Sequence, residues 1–355
     1  MEHCTALMRA LPEGIDAGLV LSEHNRRYLT GFAATDGILL VGRGRTVLLA
    51  DSRYIEAARE EAKGCEVELM TDAAGQIGAF FKAEGVRTAG IEAKELPVAE
   101  LNRFRRLFPE IVFDEGNALN DVILRLRMVK GAEELDAIRR AQQITDDAYK
   151  HILPFLKPGA AERDLALEIE YFMRQNGASG PSFDLIVVSG ENSSRPHGVP
   201  GARKLQSGDF ITMDTGALVD GYCSDMTRTV ALGFVTDEMR RVYETVLAAQ
   251  LAAEQALAPG KTGSEVDKIA RDIIYGAGYE GCFGHGLGHS VGLQIHEEPR
   301  LSPACHETLR AGMLMTIEPG IYLEGRFGVR IEDLAVLTDG GCEILTRSPK
   351  ELLVL

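Results

Sequence analysis

Two alternating segments, DFITMDTGALV and YCSDMTRTVAL, run from Asp209 to Leu232 and are separated by Asp220-Gly221 alone. An Asp-Gly pair in that setting signals a two-residue hairpin turn, and such a turn sets the register of both strands. Val219 then faces Tyr222, and Gly216 faces Asp225. Side chains alternate between the faces of a strand, so Asp214 points the same way as Gly216 and becomes a diagonal neighbour of Asp225 on the adjacent strand. Bringing two carboxylates that close costs Coulomb energy, which a shared proton or a bound cation offsets. The bland alternative for a lone pair at this spacing is that one Asp faces solvent or serves the turn. Three other features favour the cation.

The stretch GHGLGHSVGLQIHEEP supplies His285, His289 and His296 among Gly284, Gly286, Gly288 and Gly292. Glycines let backbone and imidazoles crowd into a small volume, and imidazole is the commonest nitrogen donor to metals. His285 and His289 are four residues apart, but the glycines oppose a helix and no H-E-x-x-H motif is present, so the zinc-protease pattern fails. The glycine spacing also mimics a dinucleotide-binding loop, yet no apolar strand leads directly into it and no uninterrupted helix follows.

Next, TIEPGIY sets Glu318 at the end of an apolar strand, and VRIEDLAVL sets Glu332 inside another, flanked by Ile331 and Leu334. A carboxylate in such a place needs a partner, either a metal or a salt bridge to Arg330 or Arg326. His197 follows the small-polar run SGENSSRP, in a loop able to reach over a pocket; taken alone it reads as an ordinary loop histidine. Asp214, Asp225, His289, Glu318 and Glu332 make four carboxylates and one imidazole. That oxygen-rich set is too large for one ion and suits two divalent ions of the manganese or cobalt type. Two such ions, about 3.5 to 4 Å apart, can hold a bridging hydroxide as nucleophile and polarise a carbonyl oxygen.

With 355 residues, the chain exceeds the roughly 250 at which single cores stop growing, so two domains are expected. From Leu19 to Phe113 the apolar runs GLVLS, GILLVG, RTVLLAD and TAGIEA alternate with the helical stretches YIEAAREEA and LNRFRRLF, an α/β rhythm. A connecting segment is expected over Asn117–Lys130, and a long amphipathic helix after Gly131, where Leu135, Ile138, Ala141, Ile144, Ala148 and Ile152 recur at three- and four-residue steps. The boundary is placed at residue 127, giving domains 1–127 and 128–355. In the second domain helices precede a strand-rich stretch, helices resume at EMRRVYETVLAAQLAAEQAL, and strands follow without strict alternation, which indicates α+β.

The formal charge of -15, from 53 acidic and 38 basic side chains, repels phosphate backbones and excludes nucleic acid as an expected partner. No apolar run approaches the roughly 20 residues that cross a bilayer. Charged residues at Glu2, Arg9, Glu13 and Asp16 also interrupt any signal-peptide core. The six cysteines contain no C-x-x-C pair and read as reduced thiols. A cytoplasmic protein without a membrane partner is the expectation.

At the residues singled out above, the sequence resembles the pita-bread metallopeptidases: prolidase, aminopeptidase P and methionine aminopeptidase. The likeness lies in PSFDLIVVSGENSSRPHG, GHGLGHSVGLQIHEEPR and TIEPGIY, and in the family order of Asp, Asp eleven residues on, His, Glu and Glu. All five positions are filled, by Asp214, Asp225, His289, Glu318 and Glu332. NRRYLTGF and ADSRYIEAA are similar to the creatinase-type N-terminal domain of prolidases and aminopeptidase P, which methionine aminopeptidases generally lack. Creatinase shares the fold but not the metal ligands, so the intact set speaks against creatine hydrolysis.

The resemblance covers essentially the whole chain. It implies an α/β creatinase-type domain over 1–127 and an α+β pita-bread catalytic domain over 128–355. It also implies two divalent metal ions per chain, manganese ahead of cobalt or zinc, a homodimer, and short proline-containing peptides as substrate. Glu318 would act as general base, His197 would assist the leaving nitrogen and His296 would stabilise the oxyanion, with His285, Arg300 and Arg330 around the substrate. Arg300 reads equally well as a surface arginine, and Arg330 as a partner that orients Glu332. The expected activity is hydrolysis of an N-terminal Xaa-Pro bond. The alternatives are a metallo-aminopeptidase of broader specificity, since nothing in the sequence spells out a proline pocket, and a catalytically silent binding module, which lost ligands would mark.

Overall fold

The apolar runs of the N-terminal third pair into one mixed sheet. In the computed structural model, which describes residues 2–355, the strands are β1 (Ala17–Val20), β2 (Ile38–Gly42), β3 (Thr46–Ala50), β4 (Glu66–Leu69), β5 (Thr88–Ile91) and β6 (Val112–Asp114), in the spatial order β4-β3-β2-β1-β5-β6. β1 pairs antiparallel with β2 and parallel with β5. Six helices belong to this part of the chain: α1 (Glu2–Ala10), α2 (Glu23–Thr30), α3 (Ile55–Glu61), α4 (Ala73–Glu84), α5 (Val98–Leu107) and α6 (Ala118–Met128). Phe80, Phe81, Phe104 and Phe113 from the helices and β6 pack with Leu19, Leu40 and Leu49 of the sheet into one core. This α/β unit ends at Arg127, and a second compact unit runs from Met128 to Leu355.

Helix α6 corrects the connecting segment expected over 117–130. Leu119, Val122 and Ile123 are buried at three- and four-residue spacing and give the helix its inward face. The pattern was hidden because Arg127 takes a buried position one turn on, where it donates to Asn25 Oδ1 at 2.7 Å.

The second unit opens with α7 (Ala132–Ile152) and α8 (Glu162–Gln175). Along α7, Ile138, Ala141, Ala148 and Ile152 are buried as the periodicity requires, with Leu135 and Ile144 partly buried at the edges of the stripe. Beyond Ile152 the chain tightens into a 3-10 turn at Leu153–Phe155, because Pro154 has no N–H to continue the ladder. The strands that follow are β7 (Gly180–Pro181), β8 (Ile186–Ser189), β9 (Phe210–Thr215), β10 (Ala217–Val219), β11 (Tyr222–Cys223) and β12 (Met226–Ala231). A second helix pair, α9 (Asp237–Ala256) and α10 (Gly263–Gly276), precedes β13 (Gly288–Ser290), β14 (Glu297–Leu301), β15 (Leu314–Ile317), β16 (Gly320–Leu323), β17 (Phe327–Arg330), β18 (Asp333–Thr338) and β19 (Gly341–Ile344). Helix pair followed by strands thus occurs twice, giving the α+β arrangement.

The hairpin read from Asp220-Gly221 is present in the expected register. Val219 pairs with Tyr222 in β10–β11, and further from the turn Thr215 pairs with Met226 and Asp214 with Thr227 in β9–β12. Asp220 has φ 48° and Gly221 φ 75°, both left-handed, as the tight hairpin turn demands. Within β9, Ile211 and Met213 join the core beneath α7 and α8, while Phe210, Thr212 and Asp214 occupy the opposite face. Among the described residues no helix is long and apolar enough to cross a membrane.

Gly221→Ala should lower stability by about 1 kcal/mol, because a Cβ is strained at left-handed φ. Chemical denaturation checks this, and an unchanged midpoint would show that the turn does not constrain the hairpin.

Candidate metal centre

Each candidate ligand stands on an edge or a break of the second unit's strands. Asp214 is near the end of β9, and Asp225 sits in the gap between β11 and β12 on the same face. His289 is in β13, which approaches β15 so closely that a Cβ on Gly288 would lie 2.0 Å from the Thr316 carbonyl oxygen. Only glycine permits that approach.

Glu318 follows the end of β15, as expected, and lies in the break before Pro319, which cannot donate to a ladder, with β16 beyond; the stretch MLMTIEPGIYL thus forms two strands. The expected strand GVRIEDLAVLT is also two. Glu332 therefore lies between β17 and β18 rather than inside a strand. The chain changes partner there, from β16 on one side to β15 on the other. The Glu332 N–H donates to the Thr227 carbonyl at 3.1 Å across the break.

One donor atom each from Asp225, His289 and Glu332 lie within 4.8 Å of one another, and all three residues are buried. His289 Nε2 is 3.6 Å from Asp225 Oδ2 and 3.4 Å from Glu318 Oε1. Its other nitrogen, Nδ1, is 3.0 Å from the Ser290 carbonyl oxygen, which can only accept, so Nδ1 carries the hydrogen and the Nε2 lone pair faces the carboxylates. Burial pushes the imidazole down to about 3, which keeps it neutral. A lone pair aimed at carboxylate oxygens is repulsive until a cation lies between them.

Asp214 stands outside that three-residue cluster. Its Oδ2 accepts from Arg330 Nη2 at 2.6 Å, while its buried Oδ1 has no hydrogen-bond partner among the described residues. An orphaned buried carboxylate oxygen beside a lone pair and three more carboxylates is what a divalent-cation site looks like without its charge. Burial, then Glu332, Asp214 and Glu318, hold the Asp225 carboxyl far above its ordinary range. Burial followed by Glu318 and Asp214 does the same to Glu332. Burial raises Glu318 to about 8, with Asp214 adding to the shift against the pull of Arg330. The residues present therefore fit hard divalent ions.

Arg330 differs from the role weighed for it. Its direct carboxylate partner is Asp214, and it reaches Glu332 only through Thr227: Arg330 Nε donates to Thr227 Oγ1 at 3.0 Å, and that hydroxyl donates to Glu332 Oε2 at 2.7 Å. Arg326 pairs with Glu238 and takes no part in the site. Arg330 Nη1 also donates to the Tyr322 hydroxyl at 2.7 Å, which in turn lies 3.0 Å from His285 Nε2. His285 Nδ1 faces the Gly286 carbonyl at 2.8 Å, so Nε2 accepts from Tyr322. Burial holds His285 neutral, down at about 4. Neither Thr227 nor Tyr322 was singled out in the sequence. Strand alternation from Asp225 could have found Thr227, whereas nothing local marks Tyr322.

His197, His285, His296, Arg300 and Arg330 line one cavity of about 630 Å³ together with Asp214, Asp225, His289, Glu318 and Glu332. His197 and His296 are exposed at this cavity, and the His296 ring packs edge-on against His289 with centroids 4.6 Å apart. Partial burial, Arg300 and His197 lower the His296 pKa. Arg300 is half-buried and only loosely paired, 3.7 Å from Glu298. Phe183, Leu185, Ile186, Val199, Pro200 and Ile295 add apolar surface to the lining, beside Asp184 and Ser302.

Residues 136–339 match the model of metallopeptidase family M24, and residues 1–129 match that of the creatinase/prolidase N-terminal domain. The chain is 37% identical over 342 residues to a Xaa-Pro dipeptidase of Pyrococcus horikoshii, covering 96% of this chain and 95% of the relative. A Xaa-Pro dipeptidase structure from Bacillus anthracis superposes with a TM-score of 0.96 at 39% identity, covering 100% of this chain and 99% of the other. An X-Pro aminopeptidase structure from Thermotoga maritima gives 0.90 at 34% identity, covering 96% and 98%.

The crowded carboxyls set a pH dependence. Glu318 is raised from 4.5 to about 8 in the fold, so the metal-free folded state binds more protons than the unfolded state between those values. The Glu318 contribution to stability is therefore full below about pH 4.5 and is lost as pH rises towards 8. Thermal unfolding in chelator should show this fall, and saturating Mn²⁺ should remove it. A metal-free midpoint that rises with pH over this range would contradict the prediction.

Proposed function

This chain belongs to metallopeptidase family M24, and from that premise we propose that it is an exopeptidase cleaving the N-terminal Xaa-Pro bond of short peptides. The observation that carries the reading is the convergence of Asp225, His289 and Glu332, with Asp214 and Glu318 beside them, in a cavity that is also lined by apolar side chains such as Phe183, Leu185 and Ile295. The Xaa-Pro activity named for the Pyrococcus horikoshii and Bacillus anthracis proteins supports it. In the proposed site Asp214, Asp225, His289, Glu318 and Glu332 hold two divalent ions, manganese ahead of cobalt or zinc. Such ions supply a nucleophile from water at neutral pH and polarise a carbonyl oxygen.

The remaining steps fall to the side chains. Glu318, whose Oε1 lies 3.4 Å from His289 Nε2 on the cavity wall, takes the nucleophile's proton. His296 faces the cavity beside His289 and donates to the oxyanion, and His197 serves the departing nitrogen. His285, Arg300 and Arg330 bind and orient the peptide from their places on the cavity wall. A bond before proline involves a tertiary amide without an N–H, so the site has no scissile donor to satisfy and can close on the ring with apolar side chains such as Phe183 and Ile295. We take the working form to be a homodimer in the cytoplasm, supported by the resemblance and, for the location, by six free cysteines. The intact ligand set favours an enzyme over a silent binding module.

The test is kcat/KM for Ala-Pro, Ala-Pro-Ala and Ala-Ala-Ala with Mn²⁺-loaded protein. The proline tripeptide should be cleaved at least about 10-fold faster than the alanine tripeptide, roughly the worth of apolar contact with the ring. The ratio of Ala-Pro to Ala-Pro-Ala then separates a dipeptidase from an aminopeptidase. Equal values for the two tripeptides would overturn the proline reading and leave a broader aminopeptidase, and no hydrolysis at all would leave the binding module.

A further inference from the structure

Lys130 lies between the two matched segments, after residue 129 and before residue 136, so neither family match covers it. Its side chain is buried, with 1% exposure, although a lysine ammonium is costly to bury without partners. The ammonium has two. Nζ is 3.0 Å from Glu297 Oε2, itself on a side chain with 4% exposure, and donates to Ser290 Oγ at 3.1 Å. Glu297 Oε1 accepts from the Gln294 N–H at 3.1 Å, which ties the carboxylate to the loop between β13 and β14.

These partners sit next to the two imidazoles that meet at the cavity. Ser290 follows His289, and Glu297 follows His296. Ser290 and Glu297 are paired across β13–β14 at the place where the register shifts: His289 is opposite Arg300, whereas Ser290 is opposite Glu297. A bulge of this kind re-aims the side chains beside it, and unless both strands are pinned its geometry is soft. Lys130 holds one side chain from each strand at that point. Its own N–H donates to the Gly312 carbonyl at 2.9 Å, and Val129 bridges to Met313, the residue before β15, the strand that Glu318 directly follows. Lys130 thus joins the segments that carry His289 and His296 through its buried side chain, and the segment that leads to Glu318 through its backbone.

We propose that Lys130 is a positioning residue for the peptidase reaction, fixing the bulge that sets His296 edge-on to His289 through the buried Lys130–Glu297–Ser290 network. The effect on turnover rests on the function proposed above. The orientation of the imidazoles does not.

The experiment compares Lys130→Met, the double variant Lys130→Met/Glu297→Met, and Ser290→Ala with the unaltered full-length protein. Lys130→Met takes the ammonium away from the buried Glu297 carboxylate and should be less stable. The double variant removes both charges, and replacing a buried ion pair by apolar groups of similar volume commonly restores stability. If the network only stabilises the fold, turnover returns with stability. If it positions the histidines, the double variant unfolds like the original protein yet has a kcat lower by about 10- to 100-fold, with KM little changed, because displacing a group in the site costs that much. Imidazole ¹⁵N resonances of His289 and His296 in the metal-free protein should move as well, while those of His3 and His151 stay in place.

A double variant with normal kcat and unmoved resonances overturns the proposal. If neither lysine variant folds, Ser290→Ala, which keeps the ion pair, decides: kcat should fall by about 3- to 10-fold, the worth of one hydrogen bond, and an unchanged kcat overturns the proposal. If the unaltered protein cleaves no peptide, the peptidase reading fails, and the imidazole resonances alone decide whether Lys130 positions the pair.

Discussion

Repulsion among buried carboxylates is the constraint on which the second unit's architecture turns. Asp225 and Glu332 are almost inaccessible, Glu318 is largely so, and Asp214 lies close enough to raise all three. A fold driven by burial alone would separate such groups. Here they are brought together by strands that also set Ile211, Met213, Met226 and Val230 in the core, and the strain is met in two ways. Arg330 supplies one fixed positive charge, spent mostly on Asp214. The rest of the excess calls for cations, and the orphaned Asp214 Oδ1 and the outward lone pair of His289 show where they would bind.

The scaffold around the cluster is correspondingly stiff. Arg228, with 1% exposure, donates to the carbonyls of Thr227, Glu332, Ser348 and Pro349 and pairs with Asp333 at 2.6 Å. It therefore grips the Glu332 carbonyl and the Thr227 carbonyl that accepts from the Glu332 N–H, while its own charge is matched one residue away by Asp333. Thr316 performs a smaller version of the same task, accepting from the His289 N–H and donating to Glu318 Oε1. Precision of this kind is what turns a set of ligand types into a site, since catalytic groups must be held by neighbours whose own positions are locked.

What could be read from the sequence follows from how local each feature is. The hairpin carrying Asp214 and Asp225 was legible because turn chemistry and strand alternation act over adjacent residues, and φ at Asp220 and Gly221 bears this out. Helix α6 was missed because buried Arg127 imitates a polar break, and its partner Asn25 lies about a hundred positions away in the chain. The interruption at Glu332 was invisible for a similar reason: it comes from a change of strand partner, which no local pattern encodes. The pairing of Arg330 with Asp214 rather than Glu332, and the burial of Lys130 against Glu297, are likewise long-range facts. Residue types and spacing thus picked out the side chains that converge on the cavity, while the groups that hold them in place emerged only from the packing.

The account stands or falls on whether two cations complete the carboxylate cluster. Native mass spectrometry of chelator-stripped protein titrated with Mn²⁺ measures this directly, without reference to any substrate. The account predicts mass steps that saturate at two manganese ions per chain and shrink when Glu332 is replaced by Gln. Saturation at one ion or none, in protein whose fold is intact by circular dichroism, would contradict it.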